Sequence, residues 1–140
     1  MVRSLQVTAS ALLISAVLGI PVGTWLALQR FPGKRLATAL IYTGMGLPPV
    51  VVGLVVYLFL SRSGPLGHHG WLFSVRAMVV AQVIIATPLI IGVTMSSVLG
   101  VDPALRPQLR ALGATPAQAT RMQLVEARFG VIVGLVAGFG

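Results

Sequence analysis

Long runs of apolar residues separated by short polar segments dominate the pattern of this chain. Residues 4–28 carry no charged side chain and lie between Arg3 and Arg30. Residues 36–60 and 77–101 are also uncharged. About 20 apolar residues are enough for a helix to cross the hydrocarbon core of a bilayer. Each of the three runs therefore predicts one complete transmembrane span.

The second run contains two consecutive prolines, which predict that its helix kinks or opens between residues 44 and 49. Proline lacks an amide donor and crowds the preceding helical turn. In a membrane, the freed backbone is tolerated where it is buried in protein or faces a watery cavity. The candidates for a translocation pathway are Gly46, Pro48 and Pro49 in this run, with Thr87 and Pro88 in the third. The alternative is that these prolines only shape helix packing.

A polar segment, residues 102–128, holds both acidic residues and four of the ten basic ones. Its sequence predicts two short helices separated by Gly113, because glycine readily takes the left-handed conformation that ends a helix. Asp102 is the predicted N-cap of the first helix and Pro103 its first residue.

The second helix of this segment has a stronger start signal. Thr115 is its predicted N-cap, Pro116 its first residue, and Gln118 completes a capping box. Two short polar helices joined at a glycine, placed between apolar spans, suggest a docking element for a soluble partner.

Glycines at helical spacing suggest close helix contacts. Gly19 and Gly23 lie four residues apart in the first run, and Gly130, Gly134 and Gly138 repeat the spacing near the end of the chain. The last apolar stretch, residues 129–140, is too short to cross a bilayer. We expect it to be the start of a fourth span that the chain does not complete.

Composition agrees with a membrane protein, since 56% of the residues are hydrophobic, 9% are charged and the mean hydropathy is +0.97. The net charge of +8 comes from short basic clusters beside apolar runs, which argues against nucleic-acid binding. Residues 29–35 and 102–128 hold seven basic residues on one predicted side, against Arg3, Arg62 and Arg76 on the other. The positive-inside rule then predicts a cytoplasmic polar segment and an external N-terminus.

The sequence carries no recognisable catalytic or cofactor-binding pattern. The three runs contain no charge for a proton relay, and the chain contains no HExxH, GxSxG or Walker-type motif. The adjacent His68 and His69 lack a third metal ligand, and the chain has no cysteine. We therefore expect no catalytic residue, no metal site and no cofactor of its own. Energy for transport would come from a partner or a gradient.

Eight consecutive residues carry a family resemblance: Leu109, Arg110, Ala111, Leu112, Gly113, Ala114, Thr115 and Pro116. They resemble the cytoplasmic coupling loop of permease subunits of ABC importers, where Glu-Ala-Ala, three residues and a glycine precede a Leu-Pro pair. Gly113, Ala114 and Thr115 agree with that loop. Residues 107–109 depart from it, being Pro-Gln-Leu, and residues 125–126 are Val-Glu where Leu-Pro is expected.

Further segments are similar to the tungstate and molybdate branch of these permeases. They are LGIPVG at 18–23, RFPGKR at 30–35, LPPVVVGL at 47–54, SRSGPLG at 61–67 and EAR at 126–128. The sequences SRSGPLG and LVEAR favour tungstate.

The resemblance implies an all-α, polytopic membrane helix bundle of the type I importer fold, with three complete spans, a cytoplasmic coupling helix and a partial fourth span. It also implies a permease homodimer, a separate ABC ATPase subunit and an external oxyanion-binding protein, in the inner membrane of a prokaryote with membrane lipid around it. No nucleic acid is expected as a partner. Three alternatives stay open: a permease for another solute such as sulfate, a small membrane scaffold, and a gradient-driven carrier.

Overall fold

The computed structural model describes residues 2–139, and every regular element in that range is helical. The seven α-helices are α1 (Val2–Leu28), α2 (Lys34–Met45), α3 (Pro49–Leu60), α4 (Val75–Leu99), α5 (Leu105–Ala111), α6 (Pro116–Glu126) and α7 (Arg128–Phe139), and a single 3-10 turn spans Gly67–His69. Two helices, α1 and α4, are each long and apolar enough to cross a membrane. The number rises to four if each of two bent helix pairs counts as one span.

Helices α1 and α4 form the centre of the bundle and run parallel to each other. Near their N-termini, Gln82 Nε2 donates a hydrogen bond to Thr8 Oγ1 at 3.1 Å. Further along both helices, Thr87 Oγ1 donates to Ser15 Oγ at 3.1 Å. The sequence predicts that Gln82 needs a partner within the bundle, and Thr8 is that partner.

Small residues let α1 and α4 approach closely. A Cβ atom added at Gly19 would lie 2.8 Å from Ile90 Cγ2, and one added at Gly23 would lie 2.7 Å from the Ile91 carbonyl oxygen. Both distances are too short for real Cβ contacts. The absence of side chains at these two positions therefore sets the separation of the two helices.

Helix α7 packs on α4 in the opposite direction, again through glycines. Gly130 faces Ser97, Gly134 faces Val93 and Gly138 faces Ile90. The contacts thus move towards the N-terminus of α4 as they move towards the C-terminus of α7. The three glycines spaced four residues apart thus share one face, and that face lies against α4.

The second apolar run forms two helices with a break between them. Helices α2 and α3 meet at a bend of 98° around residues 46–48. The break lies where the prolines predict it, since Pro48 is in an extended conformation and Pro49 begins α3. Each half is 12 residues long, too short to cross a bilayer alone. The two halves together can count as one broken span, so the span over 36–60 stays a prediction.

The two halves cover successive parts of α4. Gly44 of α2 lies against Pro88, and a Cβ atom at Gly92 would meet Met45 of the same helix. Helix α3 instead joins a buried cluster of Val52, Val56 and Leu60 against Ala77, Ala81 and Ile85. The chain thus follows α4 from its C-terminal half to its N-terminal half, as expected of a span broken midway.

A double-mutant cycle tests the hydrogen bond between α1 and α4. We expect Thr8→Val and Gln82→Leu to be coupled by about 0.6 kcal/mol, the average for polar contacts between membrane helices. The free energy of unfolding, measured by SDS titration in mixed micelles, gives the coupling. Thr8→Val with Ser97→Ala is the control pair, which should be additive because the two side chains do not meet. Additivity of Thr8→Val with Gln82→Leu would contradict the assigned bond.

Candidate coupling and translocation sites

Helix α5 begins two residues later than the sequence pattern predicts. Its first residue is Leu105, and the Asp102 carboxylate accepts a hydrogen bond from the Ala104 amide at 2.8 Å in the turn before it. The cause is Pro107, whose missing amide and bulky ring are tolerated only in the first helical turn. A helix starting at Pro103 would place Pro107 beyond that turn. Asp102 therefore stabilises the preceding turn and is not the N-cap.

The end of α5 agrees with the prediction for Gly113. This residue has φ +89°, in the left-handed region. Its amide donates to the Arg110 carbonyl, and the Ala114 amide donates to the Leu109 carbonyl, both at 3.0 Å. These two bonds form a Schellman motif, which satisfies the last carbonyls of the helix.

Helix α6 starts with the capping box that the sequence predicts. The Gln118 amide donates to Thr115 Oγ1 at 3.3 Å, and the Thr115 amide donates to Gln118 Oε1 at 2.8 Å. Pro116 takes the first helical position. A turn of four residues, 112–115, thus joins α5 and α6.

Helix α6 has one face against the bundle and one face away from it. Ala119, Gln123 and Ala127 are spaced four residues apart and are all buried. Ala127 belongs to the apolar core that joins the C-terminal ends of α1 and α4. Away from this face, Leu112 at the end of α5 is 85% exposed and Met122 of α6 is half-exposed. Helix α6 is therefore packed on the bundle through one face, while the turn around Gly113 and its apolar Leu112 are exposed.

The described structure assigns the arginines of this segment to two surfaces. Arg110 and Arg121 are exposed near the tip. Arg106 instead lines a cavity of about 380 Å³ with Trp25 of α1 and Thr120 of α6. Of these three arginines, Arg110 and Arg121 are therefore the exposed ones.

Sequence inspection missed one site in this region. The two acidic residues of the chain, Asp102 and Glu126, line the same cavity of about 480 Å³ together with Ser97 and Gln108. The cavity lies between the C-terminal end of α4 and the junction of α6 with α7. The two acids are 24 residues apart in the sequence, so only the fold brings them to one cavity.

The predicted pathway residues lie in two places. Gly46, Pro48 and Pro49 are exposed at the break between α2 and α3. Pro88 of α4 lies near this break, because it packs on Gly44, two residues before Gly46. Thr87 points to α1, where its hydroxyl is bonded to the fully buried Ser15. The break and Pro88 thus form one group, and Thr87 belongs to the contact between α1 and α4.

Comparison with known proteins adds to this geometry. Residues 19–140 match the family model described as the binding-protein-dependent transport system inner membrane component. The chain is 43% identical over 137 residues to a probable anion ABC transporter permease protein of Haloferax volcanii, covering 98% of the chain and 59% of that protein. It is 33% identical over 136 residues to the tungstate uptake system permease protein TupB of Peptoclostridium acidaminophilum, covering 97% and 60%.

A third relative is the molybdenum transport system permease protein ModB of Haemophilus influenzae, 33% identical over 144 aligned residues, covering 97% of the chain and 63% of that protein. The chain thus spans less than two thirds of the length of these three relatives. The family match covers most of the chain, including α4, α5, α6 and α7, and the bundle has helices that can cross a membrane. This chain is a multi-pass membrane protein that belongs to the family of binding-protein-dependent transport system inner membrane components.

Proposed function

We propose that this chain forms the membrane pathway of an ABC importer for an oxyanion, with tungstate favoured and molybdate next. Three relatives are named as permeases for an anion, for tungstate and for molybdenum, and the alignments with them cover nearly the whole chain. The observation that carries the proposal is the turn around Gly113, fixed by two helix caps and open at its tip. The chain itself performs no covalent chemistry in this proposal.

The turn around Gly113 is the contact with a separate ATPase subunit. Leu112 and Met122 supply apolar contact area, and Arg110 and Arg121 meet acidic groups at the rim of the ATPase cleft. Because α6 packs on the core at the ends of α1 and α4, movement of the ATPases is transmitted to these two helices. The polar segment therefore lies in the cytoplasm and the N-terminus outside.

The pathway passes the break between α2 and α3. Residues 46–48 are outside any helix. The amides of Gly46 and Leu47 and the Pro48 carbonyl are hydrogen-bonded within the chain, so the carbonyl oxygens of Gly46 and Leu47 are the groups that can meet a hydrated solute. The apolar runs 4–28, 36–60 and 77–101 offer no basic side chain to hold a divalent anion. The permease thus provides a passage of low affinity, and the external binding protein provides selectivity.

Uptake by the reconstituted importer tests the proposal. The permease is placed in vesicles with its ATPase and its external binding protein, and accumulated tungsten, molybdenum and sulfur are measured by mass spectrometry. We expect ATP-dependent accumulation of tungstate, weaker accumulation of molybdate and little of sulfate. Uptake that persists without ATP and the ATPase would indicate a gradient-driven carrier and overturn the proposal.

A pull-down separates the importer from a scaffold. The permease should co-purify with the ATPase subunit, and the isolated permease should bind tungstate more weakly than micromolar. Failure to retain any ATPase would favour a scaffold, and micromolar binding of tungstate to the permease alone would contradict a passage of low affinity.

A further inference from the structure

A large cavity lies where the loop between α1 and α2 faces the end of α4. Its volume is about 970 Å³. One end is lined by Arg30, Lys34 and Arg35, and the other residues include Tyr42 of α2 and Met95 of α4. Proteins bind small molecules in cavities of about this size. The role proposed above for the chain does not use this cavity.

The basic end of the cavity is held in place by the protein itself. Gly33, with φ +89°, turns the chain so that α2 begins beside the end of α1. Lys34 Nζ donates to the carbonyl oxygens of Ala27 at 3.2 Å and Gln29 at 2.9 Å. An ammonium group has three donors. The third donor of Lys34 is therefore positioned for an anion without further ordering of the side chain.

The three positive charges at this end have no carboxylate among the residues that line the cavity. The two acids of the chain, Asp102 and Glu126, line a different cavity. An anion that enters here would thus face three cations and no acidic group of the lining.

Beyond the basic end, the lining from α2 has no further charge and consists of Thr38, Ala39 and Tyr42. Arg35 and Tyr42 both line the cavity and are seven residues apart, which corresponds to about 10 Å of helix. The Tyr42 hydroxyl is 3.2 Å from Ser96 Oγ, so it is anchored to α4. The exposed Leu99 of α4 and the half-buried Phe31 give the lining apolar surface, and the buried Met95 lies behind it. A charged end beside apolar surface matches a phospholipid better than a small free oxyanion.

We propose that this cavity binds one anionic phospholipid. Its phosphate lies among Arg30, Lys34 and Arg35, and one acyl chain lies along Phe31 and Leu99. Basic pockets between membrane helices are known to hold anionic lipid headgroups. The inference is independent of the transported solute and of the ATPase, so it can fail or hold whatever the outcome for the importer function.

Native mass spectrometry of the purified, delipidated protein tests the site, with phosphatidylglycerol and phosphatidylcholine as probes. We expect about tenfold tighter binding of phosphatidylglycerol. The triple variant Arg30→Gln, Lys34→Gln, Arg35→Gln should lose this preference. The matched control Arg3→Gln, Arg62→Gln, Arg76→Gln removes three charges from the other end of the bundle and should stay within about twofold of the original protein.

A second variant is needed because Lys34 also donates hydrogen bonds to carbonyl oxygens at the end of α1, so the first triple variant could lose lipid binding through misfolding. Ala39→Phe keeps every charge and fills the cavity that Ala39 lines, so it should also lower phosphatidylglycerol binding by about tenfold. If the two triple variants lost the preference for phosphatidylglycerol equally, the net charge of the protein would explain lipid binding and the proposed site would be wrong. Unchanged binding by Ala39→Phe would also contradict the site. Displacement of the lipid by millimolar phosphate or tungstate would indicate a small oxyanion site instead.

Discussion

Gly113→Asp is expected to lower ATP-driven uptake and substrate-stimulated ATP hydrolysis by about tenfold or more, while the permease stays folded in the membrane. A side chain at this φ of +89° costs about 1–2 kcal/mol of backbone strain. A Cβ atom there meets nothing within 4 Å, so the bundle itself is not disturbed. The carboxylate would instead enter the contact with the ATPase, beside the acidic groups proposed to meet Arg110.

Gly70→Asp is the matched control for this prediction. Gly70 also has a positive φ, +61°, and also has open space around it, but it lies in the loop before α4. Both variants carry the same new charge and the same kind of strain. Only Gly113→Asp should lose the co-purified ATPase.

Leu112→Ser tests the same contact without touching the backbone. Leu112 is 85% exposed, so its replacement should leave the free energy of unfolding within about 0.5 kcal/mol of the original value. We expect weaker retention of the ATPase all the same. If both variants retain the ATPase and normal stimulated hydrolysis, the turn around Gly113 is not the coupling contact.

Gly23→Ala is expected to destabilise the bundle by about 1–3 kcal/mol, the usual cost of overpacking. The added Cβ atom would lie 2.7 Å from the Ile91 carbonyl oxygen and 2.9 Å from Thr94 Cβ. The first of these is backbone in the middle of α4, so it cannot turn aside as a flexible side chain can. Thermal unfolding followed by circular dichroism, or SDS titration, gives the loss of stability.

Gly53→Ala provides the control, because Gly53 is also inside a helix but has nothing within 4 Å of an added Cβ atom. Alanine favours a helix over glycine by about 1 kcal/mol. Gly53→Ala should therefore be neutral or stabilising while Gly23→Ala is destabilising. Equal effects of the two substitutions would mean that close contact between α1 and α4 does not limit stability.

Local signals in the sequence were sufficient for several elements of this fold. The capping box at Thr115 and the left-handed turn at Gly113 depend on residues within a few positions of each other, so the pattern predicts them directly. The break before Pro49 also follows from local chemistry. The start of α5 was equally predictable, but only if Pro107 is weighed together with Asp102.

Other features depend on how the helices rotate and slide against each other, which local patterns do not determine. The sequence shows that Gln82 needs a partner, yet the choice of Thr8 follows from the register of α1 on α4. The bend of 98° between α2 and α3 depends on both halves packing on α4. The shared cavity of Asp102 and Glu126 likewise needs the tertiary fold.

The side chain of Ile90 on α4 contacts both α1 and α7, so it affects the spacing of all three helices. It is fully buried, and the glycine surfaces of both α1 and α7 rest on it, through Gly19 and Gly138. The volume of this one side chain therefore sets how far both neighbours stand from α4. A change of size at residue 90 would alter two interfaces at once, so the two helices cannot adjust their distances from α4 separately at this level of the bundle.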